Sequence, residues 1–559
     1  MKISRLNLPV LLLGAALSVA GAQTVTVQVD ASKAIGTLKP VYSFFGYDEP
    51  NYTYMKDGKK LLSELAALSP VTVHVRAHSL LVTGDGVPAL KWGSTNAYTE
   101  DANGKPVYDW TILDRIFDTY VERGMKPLVQ IGFMPQALSS KPEPYRHHWD
   151  PKQPYGNIFT GWAHAPKDYD KWRELVYQWA KHSVERYGRA EVESWFWEVW
   201  NEPDGGYWQG SVEEYCKLYD YAADGLKRAL PRVRLGGPHV TGPSNPRAEK
   251  FMRTFLEHVI SGKNYATGLT GSPIDYIGFH AKGRPNVEGG HVQMGSQNQL
   301  RSVSRGFEIV ASYPELKHLP IIIGESDPEG CAACSVDYHP QNAYRNGTMY
   351  SSYTAATFAR KYDLQARHGV NFEGAVTWAF EFEDQPYFAG FRDLATNGID
   401  KPVLNVFRMM GMMGMERVDA KSSGAVDLDT MMKTGVKEQA DIAALASRGD
   451  RTVTVMVWNY HDDDLPGPVA DIDFSVSGLS AGRVLVHHYR VDGEHSNSYE
   501  VWKKMGSPQS PTPDQYKELE RAGQLQLLGS PEWKDVANGQ AKLRFPLPRQ
   551  GVSMLKLSW

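Results

Sequence analysis

Eight short apolar segments, separated by long amphipathic segments, constrain the fold of this chain more than any other feature of its sequence. Each apolar segment has the length of a buried strand, and the segments between them have helical periodicity, with Gly124, Gly188 and Gly369 where helices are expected to end. Eight such repeats over residues 41–415 predict a (β/α)8 TIM barrel of the α/β class. A doubly wound open sheet is the alternative, but no glycine-rich dinucleotide turn follows the first strand. The predicted strands are Val41–Tyr47, Val71–Ala77, Lys126–Gly132, Val192–Trp200, Val233–Gly237, Asp275–His280, Pro320–Glu325 and Phe372–Ala379.

The chain after the barrel has the pattern of an all-β domain. Short alternating segments between turn residues predict an accessory β-sandwich over residues 416–559. Thr24–Asp30 alternates in the same way, so residues 23–40 are predicted to supply an N-terminal strand to that sandwich. The methionine-rich segment Arg408–Met415 is interpreted as a helix that closes the barrel rather than as a metal-binding patch.

The N-terminus has the pattern of a signal peptide. Lys2 and Arg5 precede the apolar run Leu8–Val19, and small residues suited to cleavage follow it. We therefore predict that residues 1–22 are removed and that the protein is exported to the periplasm or the extracellular space. The apolar run is too short for a transmembrane helix, and no other segment approaches the required length.

The composition favours a carbohydrate ligand. The chain has 15 Trp and 29 Tyr, many of them in polar segments, and flat aromatic side chains stack on sugar rings, although Trp-rich cores are also common. A formal net charge of −4 gives no argument for nucleic acid or for an anionic membrane surface. The predicted partner is an oligosaccharide or polysaccharide, with no nucleic acid and no membrane span.

The three cysteines fit an exported protein. Cys216 falls in a helical pattern and is predicted to be a buried apolar side chain. Cys331 and Cys334 form a Cys-x-x-Cys in a loop, which predicts a short disulfide in an oxidising compartment. The alternative, half of a metal site, has no evident second pair of ligands. No metal and no cofactor is predicted, and no His-Glu-x-x-His motif occurs.

Two carboxylates directly end strong hydrophobic strands. Glu202 follows the fourth predicted strand and Glu325 ends the seventh. A parallel barrel brings the carboxyl ends of its strands to one rim, where substrate binds. Retaining glycoside hydrolysis needs such a pair at roughly 5–5.5 Å, one to donate and accept a proton and the other to attack the anomeric carbon. Glu198, inside the fourth strand, is predicted to be structural.

Several stretches make the chain similar to glycoside hydrolase family 39, the β-xylosidase and α-L-iduronidase family. They include Val75–Ser79, Pro166–Trp172 and Trp197–Pro203, with Trp378 further along the chain. The resemblance spans about residues 40–415 and implies a catalytic barrel accompanied by a β-sandwich. It also implies that Glu202 is the general acid/base and Glu325 the nucleophile.

Other residues at the strand ends are candidates for substrate binding. The resemblance implies that Asn201 hydrogen-bonds the hydroxyl next to the anomeric carbon and that Trp378 forms a platform under the sugar. The full set of candidates is Asp48, His78, Asn201, His280, Lys282, Trp378 and Glu381.

The chain departs from the family pattern at two of these strand ends. Family xylosidases commonly have His-x-Tyr after the sixth strand, where this chain has His280-Ala281-Lys282. They commonly have Thr-Glu at the seventh strand, where this chain has Gly324-Glu325. A lysine beside the sugar suits a carboxylated or differently linked glycan as well as xylose.

The sequence therefore predicts an exported retaining glycosidase of the β-xylosidase kind that acts on plant-type glycans. Within the family, the alternatives are an arabinobiosidase or arabinosidase and an enzyme directed at uronic acids. The alternative from another class is a non-catalytic carbohydrate-binding protein on a barrel scaffold. That protein would lack one catalytic carboxylate, whereas both candidates are present here.

Overall fold

The computed structural model describes residues 23–68, 70–328, 330–378 and 381–559. The predicted signal peptide, residues 1–22, lies outside this part of the chain. The described residues form a closed barrel and a separate mixed sheet. No helix within these ranges is both long and apolar enough to cross a membrane.

Eight parallel strands close into the barrel, so the predicted TIM barrel is confirmed. The N-terminal strand Gln23–Thr37 is β1 and belongs to the other sheet. The barrel runs in the order β2 to β9, with β9 pairing back onto β2. The barrel strands are β2 Phe44–Tyr47, β3 His74–Ala77, β4 Lys126–Ile131, β5 Phe196–Val199, β6 Arg234–Val240, β7 Tyr276–His280, β8 Pro320–Glu325 and β9 Asn371–Trp378.

A long helix follows each barrel strand, and local signals set the ends of several of them. Asp168 caps α3 by accepting hydrogen bonds from two backbone N–H groups, and Ser211 with Glu214 forms a capping box on α4. Gly369 ends α7 in the left-handed conformation, with a φ of 62°. The helices are α1 Lys56–Ala66, α2 Thr111–Val121, α3 Tyr169–Tyr187, α4 Val212–Ala229, α5 Pro246–Ser261, α6 Ser296–Ala311, α7 Thr348–His368 and α8 Pro402–Gly411.

The fourth strand is shorter than its apolar pattern predicted. Residues Arg189–Glu193 form a short helix instead, directly after Gly188. Val192 is buried from that helix, so its apolar side chain contributes to the core without belonging to the strand. The strand proper is only Phe196–Val199, which places Asn201 and Glu202 in the turn beyond it.

Ten other strands, β1 among them, form one continuous mixed sheet. β1 lies between β10, to which it is antiparallel, and β13, to which it is parallel. The two ends of the sheet meet, since His488 of β14 and Phe545 of β17 lie 4.7 Å apart between ring centroids. The sheet thus curls around its own apolar core, as a sandwich does. Its further strands are β10 Glu416–Ser422, β11 Asp441–Gly449, β12 Thr452–Tyr460, β13 Ala470–Ser477, β14 Arg483–Val491, β15 Gln526–Leu527, β16 Glu532–Asp535, β17 Ala541–Leu547 and β18 Val552–Ser558.

Helices that follow the barrel in the chain contact it. Leu428–Thr434, Ser498–Lys504 and Pro513–Gly523 form α9, α10 and α11. The ring of Trp502 in α10 lies 5.0 Å from that of Phe388, in the loop after β9. The sequence did not indicate this small apolar cluster, because its members come from distant segments.

Candidate active site

Glu202, in the turn after β5, and Glu325, the last residue of β8, lie on the same rim of the barrel. Their relative exposures are only 8% and 3%. One carboxylate oxygen of each and a ring nitrogen of His280 lie within 4.8 Å of one another. Oxygens within this limit are compatible with the roughly 5–5.5 Å between the carboxyl groups of a retaining pair.

A sharp turn after β5 presents Glu202. Trp200 and Glu202 both have positive φ angles, 70° and 46°, which non-glycine residues adopt only when the surrounding structure holds them. The Glu202 N–H donates to the carbonyl of His239 at 3.0 Å, and the Trp200 indole N–H donates to the carbonyl of Tyr207 at 2.9 Å. These two bonds hold the turn on both sides of Asn201.

A glycine precedes Glu325 because a neighbouring histidine occupies the space of a side chain. A Cβ at Gly324 would lie 2.3 Å from the Nδ1 of His239 and 3.0 Å from the Nε2 of His280. No threonine fits there without moving these rings. The departure from Thr-Glu therefore follows from the packing of His239.

A buried ion pair supports the two carboxylates from inside the barrel. The Arg76 guanidinium lies 2.7 Å from Glu198, donates to the Asn201 side chain at 2.9 Å and donates to Glu325 at 3.3 Å. His239 Nε2 lies 2.8 Å from the other Glu198 oxygen. Burial alone raises the pKa of Glu198, but Arg76 and His239 outweigh it and lower that pKa to about 2. Glu198 thus anchors the arginine that contacts both Asn201 and Glu325.

Lys282 lies between the two candidate catalytic carboxylates. Its ammonium is 3.3 Å from Glu202 and 2.5 Å from Glu325. Burial favours the neutral carboxyls, yet Lys282 and His280 lower the pKa of Glu202 to about 2 and hold that of Glu325 well below its usual value. Both groups are therefore ionised before substrate binds. The ammonium takes the position that a cation bridging these carboxylates would need, so the geometry does not support a metal here.

The two histidines of the site hold the carboxylates in different ways. Burial lowers the pKa of His280 to about 4, so its ring is neutral near neutral pH. Its Nδ1 lies 2.9 Å from Glu202 and, as N–H, donates to that carboxylate. His78 Nε2 lies 3.4 Å from Glu325 and 3.6 Å from Asp48. Both predicted histidines therefore lie at the site.

A pocket lined by His78 adjoins the carboxylates. Asp48 lines it and forms an ion pair of 2.5 Å with Lys91, a residue that the sequence did not indicate. Trp378 lies nearby, with its ring 4.5 Å from that of His78, but is only 1% exposed. The aromatic lining suits the faces of a sugar ring. It comprises Trp92, Phe133, His147, Trp162 and Tyr207.

Glu381 does not belong with this group, contrary to the prediction. It is completely buried and accepts a hydrogen bond from the Gly398 N–H at 2.5 Å. Burial raises its pKa well above the usual value. The loop after β9 folds back on itself and turns this carboxyl away from the rim.

That same loop supplies a cation that the sequence did not indicate. Arg392 donates to Asp327 at 2.7 Å, and its guanidinium lies 3.7 Å from Glu325. Cys331 and Cys334 form a disulfide beside it, with their Cα atoms 5.5 Å apart. Cys216 is a buried free thiol in α4.

The sequence model of Glycosyl hydrolases family 39 matches residues 25–527. The chain belongs to glycoside hydrolase family 39. This family 39 chain is therefore a retaining glycosidase, and the predicted class of enzyme is confirmed.

Relatives of this family 39 enzyme include two kinds of glycosidase. A β-xylosidase of Geobacillus stearothermophilus is 24% identical over 87% of this chain and 86% of its own length. An α-L-iduronidase of Mus musculus is 25% identical over 88% of this chain and 75% of its own length.

Solved structures show the same fold. A bacterial orthologue of human α-L-iduronidase has a TM-score of 0.74 and 21% identity, over 96% of this chain and 84% of that chain. A monomeric β-xylosidase from Caulobacter crescentus has a TM-score of 0.72 and 21% identity, over 95% of this chain and 99% of that chain. At this identity, these similarities establish the fold of the family 39 enzyme and not its substrate.

Proposed function

We propose that this glycosidase uses Glu325 as its nucleophile and Glu202 as its general acid/base. The observation that carries the proposal is the pair of buried carboxylates on one rim, with oxygens within 4.8 Å of each other. Lys282, His78 and the guanidinium of Arg76 contact Glu325 and stabilise its ionised form, which is the form that attacks.

The reaction takes place in two displacements. A Glu325 oxygen bonds to the anomeric carbon as the glycosidic C–O bond breaks, and the leaving oxygen takes the proton of Glu202. Glu202 then removes a proton from water, whose oxygen displaces Glu325 from the same carbon. The enzyme returns to its starting state and the released sugar keeps its anomeric configuration. Asn201, held by Arg76, faces the neighbouring hydroxyl.

Glu202 must gain a proton before the first displacement. In the substrate-free site the Lys282 ammonium opposes this, since it lies 3.3 Å from Glu202. A sugar that enters between the carboxylates moves Lys282 away from Glu202 and so raises the pKa of the acid. Substrate binding and protonation of Glu202 are coupled in this way.

For the sugar, a β-xyloside of a plant-type glycan is the first candidate. The Geobacillus stearothermophilus and Caldicellulosiruptor saccharolyticus relatives are β-xylosidases and match 87% and 74% of this chain. The aromatic walls of the pocket suit a neutral ring, whose hydroxyls the Asp48–Lys91 pair can both accept from and donate to. The predicted signal peptide supports export, where such glycans occur.

A uronide is the second candidate, and Lys282 is the observation that favours it. A carboxylate on the sugar attracts the ammonium, which frees Glu202 from its cation and allows it to take up a proton. Arg392, 3.7 Å from Glu325, adds a second positive charge on that side of the site.

The roles of the carboxylates are tested with aryl glycosides and two variants. Glu325→Ala is expected to lose turnover, because no nucleophile remains. Glu202→Ala is expected to lose turnover with poor leaving groups and to recover cleavage of an activated aryl glycoside when azide is added. Turnover retained by the Glu325 variant contradicts the nucleophile assignment, and no rescue by azide contradicts that of the acid/base.

The sugar is identified with a panel of aryl β-xyloside, α-arabinoside, β-glucoside and uronides. A uronidase loses most of its selectivity for the acidic sugar in Lys282→Met, because the charge that attracts the carboxylate is gone. A xylosidase keeps its preference among neutral sugars in that variant. Lys91→Met serves as the comparison: its ammonium pairs with Asp48 and not with the catalytic carboxylates, so its loss should weaken binding of neutral and acidic sugars alike without changing the selectivity between them.

A further inference from the structure

The loop after β8 is closed by a buried disulfide next to the active site. Cys331 and Cys334 are 2% and 0% exposed, and only two residues lie between them. A bridge across so few residues restricts the unfolded chain less than one that closes a long loop. Its main effect is therefore on the local path of the backbone.

A buried arginine ties this loop to the loop after β9. The Arg345 guanidinium donates to the carbonyls of Cys331 at 3.0 Å and Cys334 at 3.4 Å. It also donates to the carbonyl of Gly390 at 3.3 Å. The bridged turn presents its carbonyls inward, and one guanidinium joins them to the neighbouring loop.

The backbone between the two cysteines holds Arg392. The Arg392 N–H donates to the carbonyl of Ala332, inside the bridged turn, at 2.9 Å. The Arg392 guanidinium, carried on this anchored backbone, donates to Asp327 at 2.7 Å and lies 3.7 Å from Glu325. Its guanidinium carbon is 5.8 Å from the centre of the Trp378 ring. The contact chain therefore runs from the disulfide through Ala332 to the nucleophile.

We propose that the Cys331–Cys334 disulfide is a positioning element of the active site, which fixes the Ala332 carbonyl and thereby holds the Arg392 guanidinium beside Glu325. This inference rests on the proposed role of Glu325 as nucleophile. Without the bridge, the four-residue turn has further backbone conformations, and the carbonyl that anchors Arg392 is no longer held in place. Small displacements of a charged group at a reacting centre reduce turnover strongly.

The test is a double-mutant cycle between the bridge and Arg392. The variants are Cys331→Ser/Cys334→Ser, Arg392→Met and their combination, assayed with the aryl glycoside that the wild type cleaves fastest. We expect the bridge variant and the arginine variant each to lose kcat/KM by about 10- to 100-fold. In the Arg392→Met background, removal of the bridge should lower kcat/KM by less than about twofold further, since the bridge acts through the Arg392 side chain.

Controls separate positioning from general loss of structure. Cys216→Ser removes the free thiol in α4, away from both loops, and should keep wild-type kcat/KM. Where the bridge variant does not fold, a phosphine is applied to the folded wild type. The phosphine takes the oxygen of one water molecule and becomes the phosphine oxide, and the two hydrogens of that water complete the two thiols of the reduced disulfide. Thiol counting then confirms three thiols in place of one, and the same loss of kcat/KM is expected.

Two results overturn the proposal. One is wild-type kcat/KM in the bridge variant or in the reduced enzyme. The other is an equal fold-loss on removing the bridge with and without Arg392, which shows that the bridge does not act through this arginine. Neither result bears on the nucleophile, which is judged from Glu325→Ala alone.

Discussion

Replacing Lys282 by methionine should move the alkaline limb of the pH profile to higher pH. The Lys282 ammonium lies 3.3 Å from Glu202, and the two side chains are only 19% and 11% exposed. Coulomb's law at an effective dielectric of 20 gives about 5 kcal/mol for unit charges at this distance, or about 3–4 pKa units. Observed shifts from one opposite charge are about 1–3 units, so we expect an upward shift of at least about one unit.

The sign follows from the roles of the two carboxyls. Glu202 must be protonated to act, so the alkaline limb of kcat/KM reports its pKa in the free enzyme. In the substrate-free wild type, Lys282 and His280 hold that pKa well below its ordinary value, against the effect of burial. Removing the ammonium destabilises the ionised form and raises the pKa. Glu325 also loses this cation, but Arg76 remains 3.3 Å away and keeps its pKa low.

The assay is kcat/KM for an aryl glycoside across pH, in the wild type, Lys282→Met and Lys91→Met. Lys91 pairs with Asp48 at 2.5 Å, so its loss should leave the alkaline limb unchanged. An alkaline limb that stays in place or moves to lower pH in Lys282→Met would refute the electrostatic account of Glu202.

Three further variants test the supports of the site and the core. Glu198→Gln removes the charge that holds Arg76. It should lower the free energy of unfolding, measured with heat or denaturant, by about 3–5 kcal/mol and reduce kcat/KM by about 100-fold. Wild-type stability together with wild-type kcat/KM would contradict this. Gly324→Thr should destabilise the protein by about 1–3 kcal/mol, because its Cβ would lie 2.3 Å from His239. An unchanged Tm would contradict this, because it would show that the His239 ring can move aside. Lys361 is buried with no hydrogen-bond partner among the described residues, and burial lowers its pKa to about 7. Between pH 7 and 10.5 the unfolded chain binds more protons at this lysine, so wild-type stability should rise with pH by up to about 1.4 kcal/mol per unit. Lys361→Met should be more stable at pH 7 and lose this slope, and a lower Tm at all pH values refutes the argument.

The fold could be predicted because the barrel strands are buried on both faces and read as continuous apolar runs. The alternation of β1 likewise indicated a strand with one buried face. The ends of the strands were harder to predict. Val192 is apolar and buried like a strand residue, but it lies in the short helix Arg189–Glu193. The curling of the second domain into one continuous sheet depends on strand pairing between distant segments, which local periodicity does not encode.

The site could be predicted only where a residue ends a barrel strand or lies in the turn after it. Glu202 and Glu325 met this condition, and the barrel geometry brings them to one rim. Glu381 followed a strand too, but its loop folds back to Gly398, so position after a strand was not sufficient. Lys91 and Arg392 come from long loops, and their side chains reach the site only through tertiary contacts.

The most direct test of the central claim is to trap the covalent intermediate. Activated 2-deoxy-2-fluoro derivatives of β-xyloside and of a uronide are incubated with the enzyme, and the labelled peptide is identified by mass spectrometry after digestion. The account predicts one sugar per chain, bonded to Glu325. A label on Glu202, or rapid inactivation with a label on any other residue, contradicts it.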